Sequence, residues 1–385
     1  MSSRADATTV RPPRIVSIDA LRGLVILLML VDHSREFFFL HAQVADPMDL
    51  RTTAPALVAT RLAAHLCAPV FVALTGLAAW LYAAPRGGPK AASAFLAKRG
   101  LFLVALEWTV VNFAWTFDVT PATVFLQVIW AIGLSMIALA ALVHLPRAAL
   151  VAVGLVILLG HNLLDPVSIA PGQPGHDLWA ILHDRGFIDL PWGGRARTSY
   201  PVLPWIGVIA LGYAIGPWFA RDVAPAWRRR RLLATGVAML AGFVVLRLLN
   251  GYGEPVRWQP GETGLATVMS FVNLTKYPPS ADFLLLTLGI GAGLLAALEA
   301  TPRRVAAILA VFGAAPLFFY LLHLYLLHGA NRIAAGALGQ EGMVSVPSVG
   351  WLWAIAAAVA LPCWFACRRF AAVKRTNDVW WLRYL

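Results

Sequence analysis

Residues 15–38, IVSIDALRGLVILLMLVDHSREFF, form an apolar run with charged residues well inside it. At 1.5 Å per residue, the run is long enough to cross a bilayer core of about 30 Å as one α-helix. A cleaved signal peptide has a shorter apolar core and does not need Asp19, Arg22 or Asp32 within it. We therefore interpret the run as a first, retained transmembrane helix.

The composition of the whole chain agrees with this interpretation. Of its 385 residues, 59% are hydrophobic and 13% are charged, and the mean hydropathy is +0.72. Soluble domains average about 45–50% apolar and about 25% charged residues, so a water-soluble globular enzyme is excluded. The chain predicts an all-α, polytopic integral membrane helix bundle of about ten transmembrane helices, from apolar runs at 15–38, 56–83, 99–117, 122–144, 147–164, 201–219, 231–249, 281–300, 304–328 and 349–369.

Charge placement gives the expected orientation. With the N-terminus inside, 20 of the 31 Lys and Arg residues fall in inner segments and 12 of the 19 acidic residues in outer ones. This is the positive-inside pattern, so the net charge of +12 indicates membrane topology and no nucleic-acid partner. We predict a cytoplasmic tail (1–14), a single transmembrane domain (15–371) and a second cytoplasmic tail (372–385).

Histidines concentrate on one side of this layout, where eight of the nine fall in outer loops or outer helix halves. His33, His65 and His323 lie in or at the ends of apolar spans, where ionisable groups are costly and mark function. His176 and His183, in the 165–200 connection, are more simply explained as solvated side chains. The pattern predicts an ionisable site at the outer face of the membrane.

The first helix carries three polar residues on one stripe. Asp19 and Arg22 are one turn apart, and His33 returns to nearly the same face about 21 Å further along the axis. The pair is either a structural ion pair or a site at which Arg22 holds an anionic group, since a guanidinium can bond two phosphate oxygens at once. Asp32 and His33 point about 100° apart, so we expect the partner of His33 to come from another helix.

Other polar residues within spans are candidates for supporting roles. They are Glu107 in the third span, and Tyr320 and His323 in the ninth; they either complete the site or bond one another across helices. In the second span, Gly76 permits close approach of a neighbouring helix. Short helices are expected at 177–190 and 264–274. No phosphate-binding loop, nucleophile elbow or zinc-protease motif is present, and no spacing requires a metal ion, so we predict none.

Four stretches together resemble a known family. They are RIVSIDALRGLVILLMLVDHSREFFF (14–39), TRLAAHLCAPVFVALTGLAAWL (60–81), PLFFYLLHLYLLH (316–328) and WWLRYL (380–385). The chain resembles bacterial DUF1624 membrane proteins, which are similar to the catalytic domain of heparan-alpha-glucosaminide N-acetyltransferase. The resemblance covers nearly the whole chain in order and is most specific in the first two helices.

The resemblance implies a transmembrane acyltransferase of the bacterial inner membrane. Such an enzyme takes an acetyl group from cytoplasmic acetyl-CoA, an acyl-donor substrate, and delivers it as an N- or O-acetyltransferase to a sugar amine or hydroxyl at the outer face. An outer histidine is the key catalytic group of the animal enzyme. The family's histidine position falls near Pro55 here, and a family aspartate position is occupied by His65, so His33, His41 and His65 all remain candidates.

Within this scheme the residues divide into two groups. His33 and His65, with Asp32, are expected to be catalytic, either by deprotonating the acceptor or by accepting the acetyl group. Arg22 and Arg99, with Asp19, are expected to hold the acyl-CoA phosphates at the inner surface.

An alternative function is a membrane transporter or flippase with an outward-facing histidine site. Ten helices, proline-broken spans and intramembrane charges would suit one. The chain shows no inverted repeat, which favours the enzyme. Assembly into a homo-oligomer is left open.

Overall fold

The computed structural model describes residues 15–377 and residue 379. The predicted N-terminal tail and the closing residues 380–385 lie outside this part of the chain. The described residues are mostly helical, about 70%. The helices are α1 (Val16–Phe38), α2 (Pro55–His65), α3 (Cys67–Ala83), α4 (Pro89–Leu106), α5 (Asn112–Thr116), α6 (Val128–Leu142), α7 (Arg147–Gly160), α8 (His176–Leu182), α9 (Leu203–Ala214), α10 (Pro225–Leu249), α11 (Gly264–Val272), α12 (Ala281–Ala300), α13 (Arg303–Gly313), α14 (Pro316–Ala337) and α15 (Val349–Thr376).

The prediction of a purely helical chain is wrong in one place. Three short strands, β1 (Thr123–Leu126), β2 (Phe187–Asp189) and β3 (Arg195–Thr198), form a sheet in the order β1-β3-β2. β3 pairs parallel to β1 and antiparallel to β2. The helix expected at 177–190 therefore ends at Leu182, and the run expected to be helical from 122 becomes helical only at Val128. The helix expected at 264–274 is present as α11.

Every predicted apolar run contains a helix, but not all of these helices have the length, hydropathy and low charge expected of a span, and the charged helix α1 is not among those that do. Five in the described part of the chain have them: Pro55–Arg86, Arg147–Leu164, Pro225–Leu249, Ala281–Ala300 and Val349–Thr376; α13 and α14, bent by 67°, would together make a sixth. At 1.5 Å per residue, α6 and α9 are only about 22 and 18 Å long, less than a bilayer core. The chain is a multi-pass membrane protein, and the count of ten stays a prediction.

Helix α1 lies at the centre of the packing. It contacts α2, α3, α12, α13, α14 and α15, and its Leu21, Val25, Ile26 and Leu30 are almost fully buried. In the second span, Gly76 faces α9, where an added Cβ would lie 2.1 Å from the Ile209 carbonyl oxygen. The close approach expected at this glycine is therefore present.

Two further glycines set the distance between α1 and α13. A Cβ at Gly23 would lie 1.9 Å from the Leu309 carbonyl oxygen, and one at Gly313 would lie 1.8 Å from that of Asp19. Both obstacles are backbone atoms, so a side chain there requires the helices to separate. This contact sits beside Asp19 and Arg22.

We predict that Gly23→Ala lowers the free energy of unfolding by about 3 kcal/mol, the upper end of the usual overpacking cost. Gly329→Ala in α14 is the matched control, because nothing lies within 4 Å of its added Cβ. The control should be neutral or slightly stabilising, since alanine favours helix by about 1 kcal/mol over glycine. Thermal unfolding of the detergent-solubilised variants tests this; equal melting temperatures would contradict the close packing.

Candidate functional site

Two histidines from different helices meet within the bundle. The Nδ1 of His33 on α1 lies 2.6 Å from the Nε2 of His323 on α14, and the rings stack with centroids 4.9 Å apart. His323 is fully buried. Trp115 and Tyr320 pack edge-on against the His33 ring, at 5.2 and 5.8 Å between centroids. The partner of His33 thus comes from another helix.

Hydrogen bonding fixes the tautomers of this pair. The Nδ1–H of His323 donates to the Phe319 carbonyl oxygen at 2.8 Å. In a neutral imidazole the other nitrogen is then an acceptor, so His323 Nε2 accepts from His33 Nδ1–H. The same rule leaves the Nε2 of His33 unprotonated, and within residues 15–377 no group donates a hydrogen bond to it. His33 therefore offers a free imidazole lone pair, which is the requirement for a general base or a nucleophile.

Asp32 does not pair with His33. Its carboxylate accepts two hydrogen bonds from Arg61 Nη1 on α2, at 2.9 and 3.0 Å, and one from Arg35 Nε at 3.2 Å. Arg35 also pairs with Glu36. Arg35 and Arg61 are 2% and 6% exposed, so this ion-pair network is buried. Its geometry holds α1 against α2 beside the histidine pair.

A small cavity of about 110 Å³ lies next to these groups. Asp32 and His33 line it on α1, and Tyr200 and Lys276 line it from the connections before α9 and α12. Cys67 lines it at the start of α3 and is buried and unpaired with any other cysteine. His33 thus belongs to a cavity wall that also includes a carboxylate residue, a lysine and a tyrosine.

A much larger cavity of about 1020 Å³ adjoins the small one. The two share five lining residues: Phe71, Thr75, Arg99, Met136 and Pro316. The large cavity is basic, because its lining by described residues includes Arg22, Arg99, Arg221, Arg228 and Lys374 and one carboxylate, that of Asp19. Arg228 is also paired with Glu299 at 2.6 Å. The small cavity at His33 and the large basic cavity, which we call the vestibule, therefore lie side by side, with Arg99 in the wall of both.

Asp19 and Arg22 are found where the sequence predicted a one-turn pair. Arg22 Nη1 lies 3.1 Å from Asp19 Oδ1, and its Nη2 donates to the Leu74 carbonyl oxygen at 3.2 Å. Since α1 is helical without a break from Val16 to Phe38, the rise from Asp19 to His33 is about 21 Å. The pair faces the basic vestibule and His33 faces the small cavity.

Of the other predicted site residues, Tyr320 packs beside the histidine pair, whereas Glu107 and His65 line neither cavity formed by the described residues. Tyr320 lines the small cavity. Glu107 is fully buried in a π-helical segment, and its Oε2 accepts from the Trp130 backbone N–H at 2.8 Å, which binds it to the start of α6. His65 is buried against Phe283, with ring centroids 5.1 Å apart, and does not line the small cavity formed by the described residues.

The sequence did not predict Lys276 as a site residue; two half-buried carboxylates hold its loop. Asp46 accepts from the Lys276 backbone N–H at 3.1 Å, and Glu254 accepts from Thr275 and Ser280 hydroxyls at 2.6 Å each. Burial raises the pKa of Asp46 and of Glu254, although neighbouring positive charge and hydrogen bonds oppose the shift. The ammonium of Lys276 sits 5.2 Å from the Tyr277 ring centre.

Arg35 and Arg61 were also missed, although the sequence held a signal for them. Arg35 follows Asp32 by three residues, which is helical pairing distance, and Arg61 is a lone cation in an apolar span. Tyr200 and Lys276 carried no such signal, because their connections have no periodicity. The prediction that His183 is a solvated loop residue is wrong, because its side chain is buried and 1% exposed.

We predict that Arg61→Met lowers the free energy of unfolding by about 3 kcal/mol, since it leaves the Asp32 carboxylate buried with one cation fewer. Asp32→Asn combined with Arg61→Met should recover part of this loss. Arg51→Met is the control, because Arg51 pairs with Asp49 on the surface, where such pairs contribute at most about 1 kcal/mol. Unfolding in detergent measures all three; equal effects of Arg51 and Arg61 would contradict the buried pairing.

Comparison with known proteins agrees with the resemblance noted in the sequence. No curated protein sequence matches the chain. A family model described as "Heparan-alpha-glucosaminide N-acetyltransferase, catalytic" matches residues 14–245, more than half of the chain. The match includes Asp32, His33 and Arg61 and ends within α10, before His323. The chain therefore belongs to the heparan-alpha-glucosaminide N-acetyltransferase catalytic-domain family.

Proposed function

We propose that this protein transfers an acetyl group from acetyl-CoA, entering at the basic vestibule, to a sugar amine or hydroxyl at the histidine end of the bundle. The observation that carries the proposal is that His33 lines a small cavity that shares five lining residues with the basic vestibule. We place the vestibule in the cytoplasm of a bacterium and the histidine end at the outer face of its inner membrane, in a fold that spans ten times.

The positive charge of the vestibule supports its assignment as the acetyl-CoA site. Coenzyme A carries several phosphate charges, and arginine and lysine bind phosphates through charge-assisted hydrogen bonds. The vestibule offers five cations within one cavity of about 1020 Å³. Arg99 borders both cavities, so it stands where the phosphates would end and the pantetheine arm would begin. The axial distance of about 21 Å from Asp19 to His33 is of the order of that arm.

The chemical step follows from the tautomers. The acceptor N–H or O–H gives its proton to His33 Nε2 while its nitrogen or oxygen forms a bond to the thioester carbonyl carbon. The carbon–sulfur bond then breaks, and the leaving thiolate takes the proton back from the imidazolium. In the covalent variant, His33 Nε2 itself attacks the carbonyl carbon and CoA leaves before the acceptor attacks. Both routes need a lone pair on Nε2.

His323 acts in this scheme as a positioning residue. By accepting the Nδ1–H of His33, it holds the ring orientation and keeps the proton away from Nε2. Its own orientation is fixed by the Phe319 carbonyl. The stack of Trp115 on Phe37, with ring centroids 5.1 Å apart, packs beside His33 and limits water.

We predict that His33→Ala lowers acetyl transfer by at least about 100-fold, the lower bound for loss of a general base. His323→Leu should reduce kcat with little change in the KM for acetyl-CoA and should alter the pH profile, and His323→Gln should recover part of the rate through its amide oxygen. Release of CoA with a panel of amino sugars and glycans measures these effects.

His144→Ala is the control, because His144 is exposed and lies outside both cavities. Wild-type turnover in His33→Ala would remove His33 from the reaction and direct attention to His65. If no acceptor in the panel is acetylated but the protein moves a solute across vesicles, the transporter alternative gains support.

We predict that acetyl-CoA binds the detergent-purified protein saturably and that Arg99→Ala weakens the binding by at least about tenfold, the loss of one charge-assisted contact. Arg22→Ala should act in the same direction. Arg86→Ala is the control, since this exposed arginine lies outside the vestibule. Calorimetry with acetyl-CoA and CoA measures the effect; unchanged affinity in Arg99→Ala would contradict the assigned route.

A further inference from the structure

A second histidine cluster lies away from the acetyl-transfer path. His161 begins the 3₁₀ turn His161–Leu164 that follows α7, Asp165 comes directly after it, and His183 follows α8. One nitrogen or carboxylate oxygen from each of the three lies within 4.8 Å of the others. The Nε2 of His183 is 3.4 Å from Asp165 Oδ1. None of the three lines either cavity formed by the described residues.

Burial leaves the imidazole of His161 poorly hydrogen-bonded. His161 is 2% exposed and His183 is 1% exposed. Both ring nitrogens of His161 are buried and make no hydrogen bond of ordinary length among the described residues, and the Pro279 carbonyl oxygen is their one weak acceptor there. A carbonyl can satisfy only the protonated nitrogen, so the lone pair of the other nitrogen is left for a ligand.

The surroundings of the cluster match the outer shell of a metal site. Asp184 Oδ1 lies 3.4 Å from His183 Nδ1, and Asn162 donates to Asp165 Oδ2 at 2.9 Å. Carboxylates and amides in these positions orient ligands and set the imidazole tautomer. The Trp179 ring stacks on His183 at 5.1 Å. Without an ion, His183 Nε2–H donates to the His161 carbonyl oxygen at 3.1 Å; with an ion on Nε2, the proton would be carried by Nδ1, which faces Asp184 Oδ1.

We propose that His161, Asp165 and His183 bind a Zn²⁺ ion. Two imidazoles and one carboxylate are a common protein donor set for zinc, with a water in the fourth position. Ligands at about 2.1 Å around a tetrahedral ion lie about 3.4 Å apart. The ligand atoms, which lie within 4.8 Å of one another, therefore need to approach by up to about 1.4 Å.

The ion would link the segment after α7 to the segment after α8. His161 and Asp165 belong to the end of α7, whereas His183 belongs to the connection that runs through β2 and β3 to Tyr200. Tyr200 lines the small cavity beside His33. A metal bound at the three residues would therefore fix the connection that supplies one wall of that cavity, independently of the acetyl-transfer proposal.

The test uses the full-length protein in detergent, without a polyhistidine tag, after treatment with a chelator. Titration with Zn²⁺ followed by metal analysis should give one ion per chain and a higher melting temperature. His161→Ala and His183→Ala should each weaken Zn²⁺ binding by at least about 100-fold, more than loss of an outer-shell contact. Asp184→Asn should weaken it by about 10- to 100-fold.

Asp165→Asn keeps the side-chain shape and should lose affinity with unchanged circular dichroism, which separates ligand loss from misfolding. His144→Ala should bind Zn²⁺ as the wild type does. Absence of stoichiometric binding would overturn the proposal. So would binding that is lost in His323→Ala and retained in His161→Ala, because the ion would then sit at the other histidine pair.

Discussion

The ion pair between Asp32 and Arg61 is the interaction on which the arrangement of the site depends. A carboxylate within an apolar bundle needs a cation at hydrogen-bonding distance, because an isolated charge there is very costly. Arg61 meets this need from α2, and Arg35 adds a second contact from α1 itself. The pairing fixes α2 against α1 at the level of His33. It also occupies Asp32, so His33 must take its partner from elsewhere.

That partner determines the chemistry available to His33. A carboxylate beside an imidazole would favour its protonated form, whereas a neutral histidine whose own proton is committed to a carbonyl can only accept. The hydrogen bonds from His33 to His323 and from His323 to the Phe319 carbonyl therefore run in one direction, which leaves the lone pair on His33 Nε2. Because Arg61 and Arg35 engage the carboxylate of Asp32, the ion pair and the histidine pair form separate sets of hydrogen bonds.

From the sequence one can predict the features that follow from helical spacing or from the cost of an ionisable side chain in an apolar span. The stripe of Asp19, Arg22 and His33 follows from helical spacing, and His33 and His323 stand out because imidazoles are rare in apolar spans. Their contact joins residues 290 positions apart, which no local pattern encodes. Lys276 and Tyr200 reach the cavity from irregular connections, and His183 becomes buried only when its connection folds back on α7. The small sheet was missed because its strands have three or four residues each, too few for a period-2 signal.

The difference in size between the two cavities bears on the choice between group transfer and transport. The cavity at His33, at about 110 Å³, is roughly a ninth of the size of the vestibule, so a solute that fills the vestibule would meet a much tighter space beside His33. A transporter would need the helices around Arg99 and His33 to separate during each cycle. The glycine contacts between α1 and α13, and between α3 and α9, resist such separation because backbone meets backbone. A narrow, fixed passage suits a reaction in which only a thin arm enters from the basic side and only an acetyl group leaves from the other.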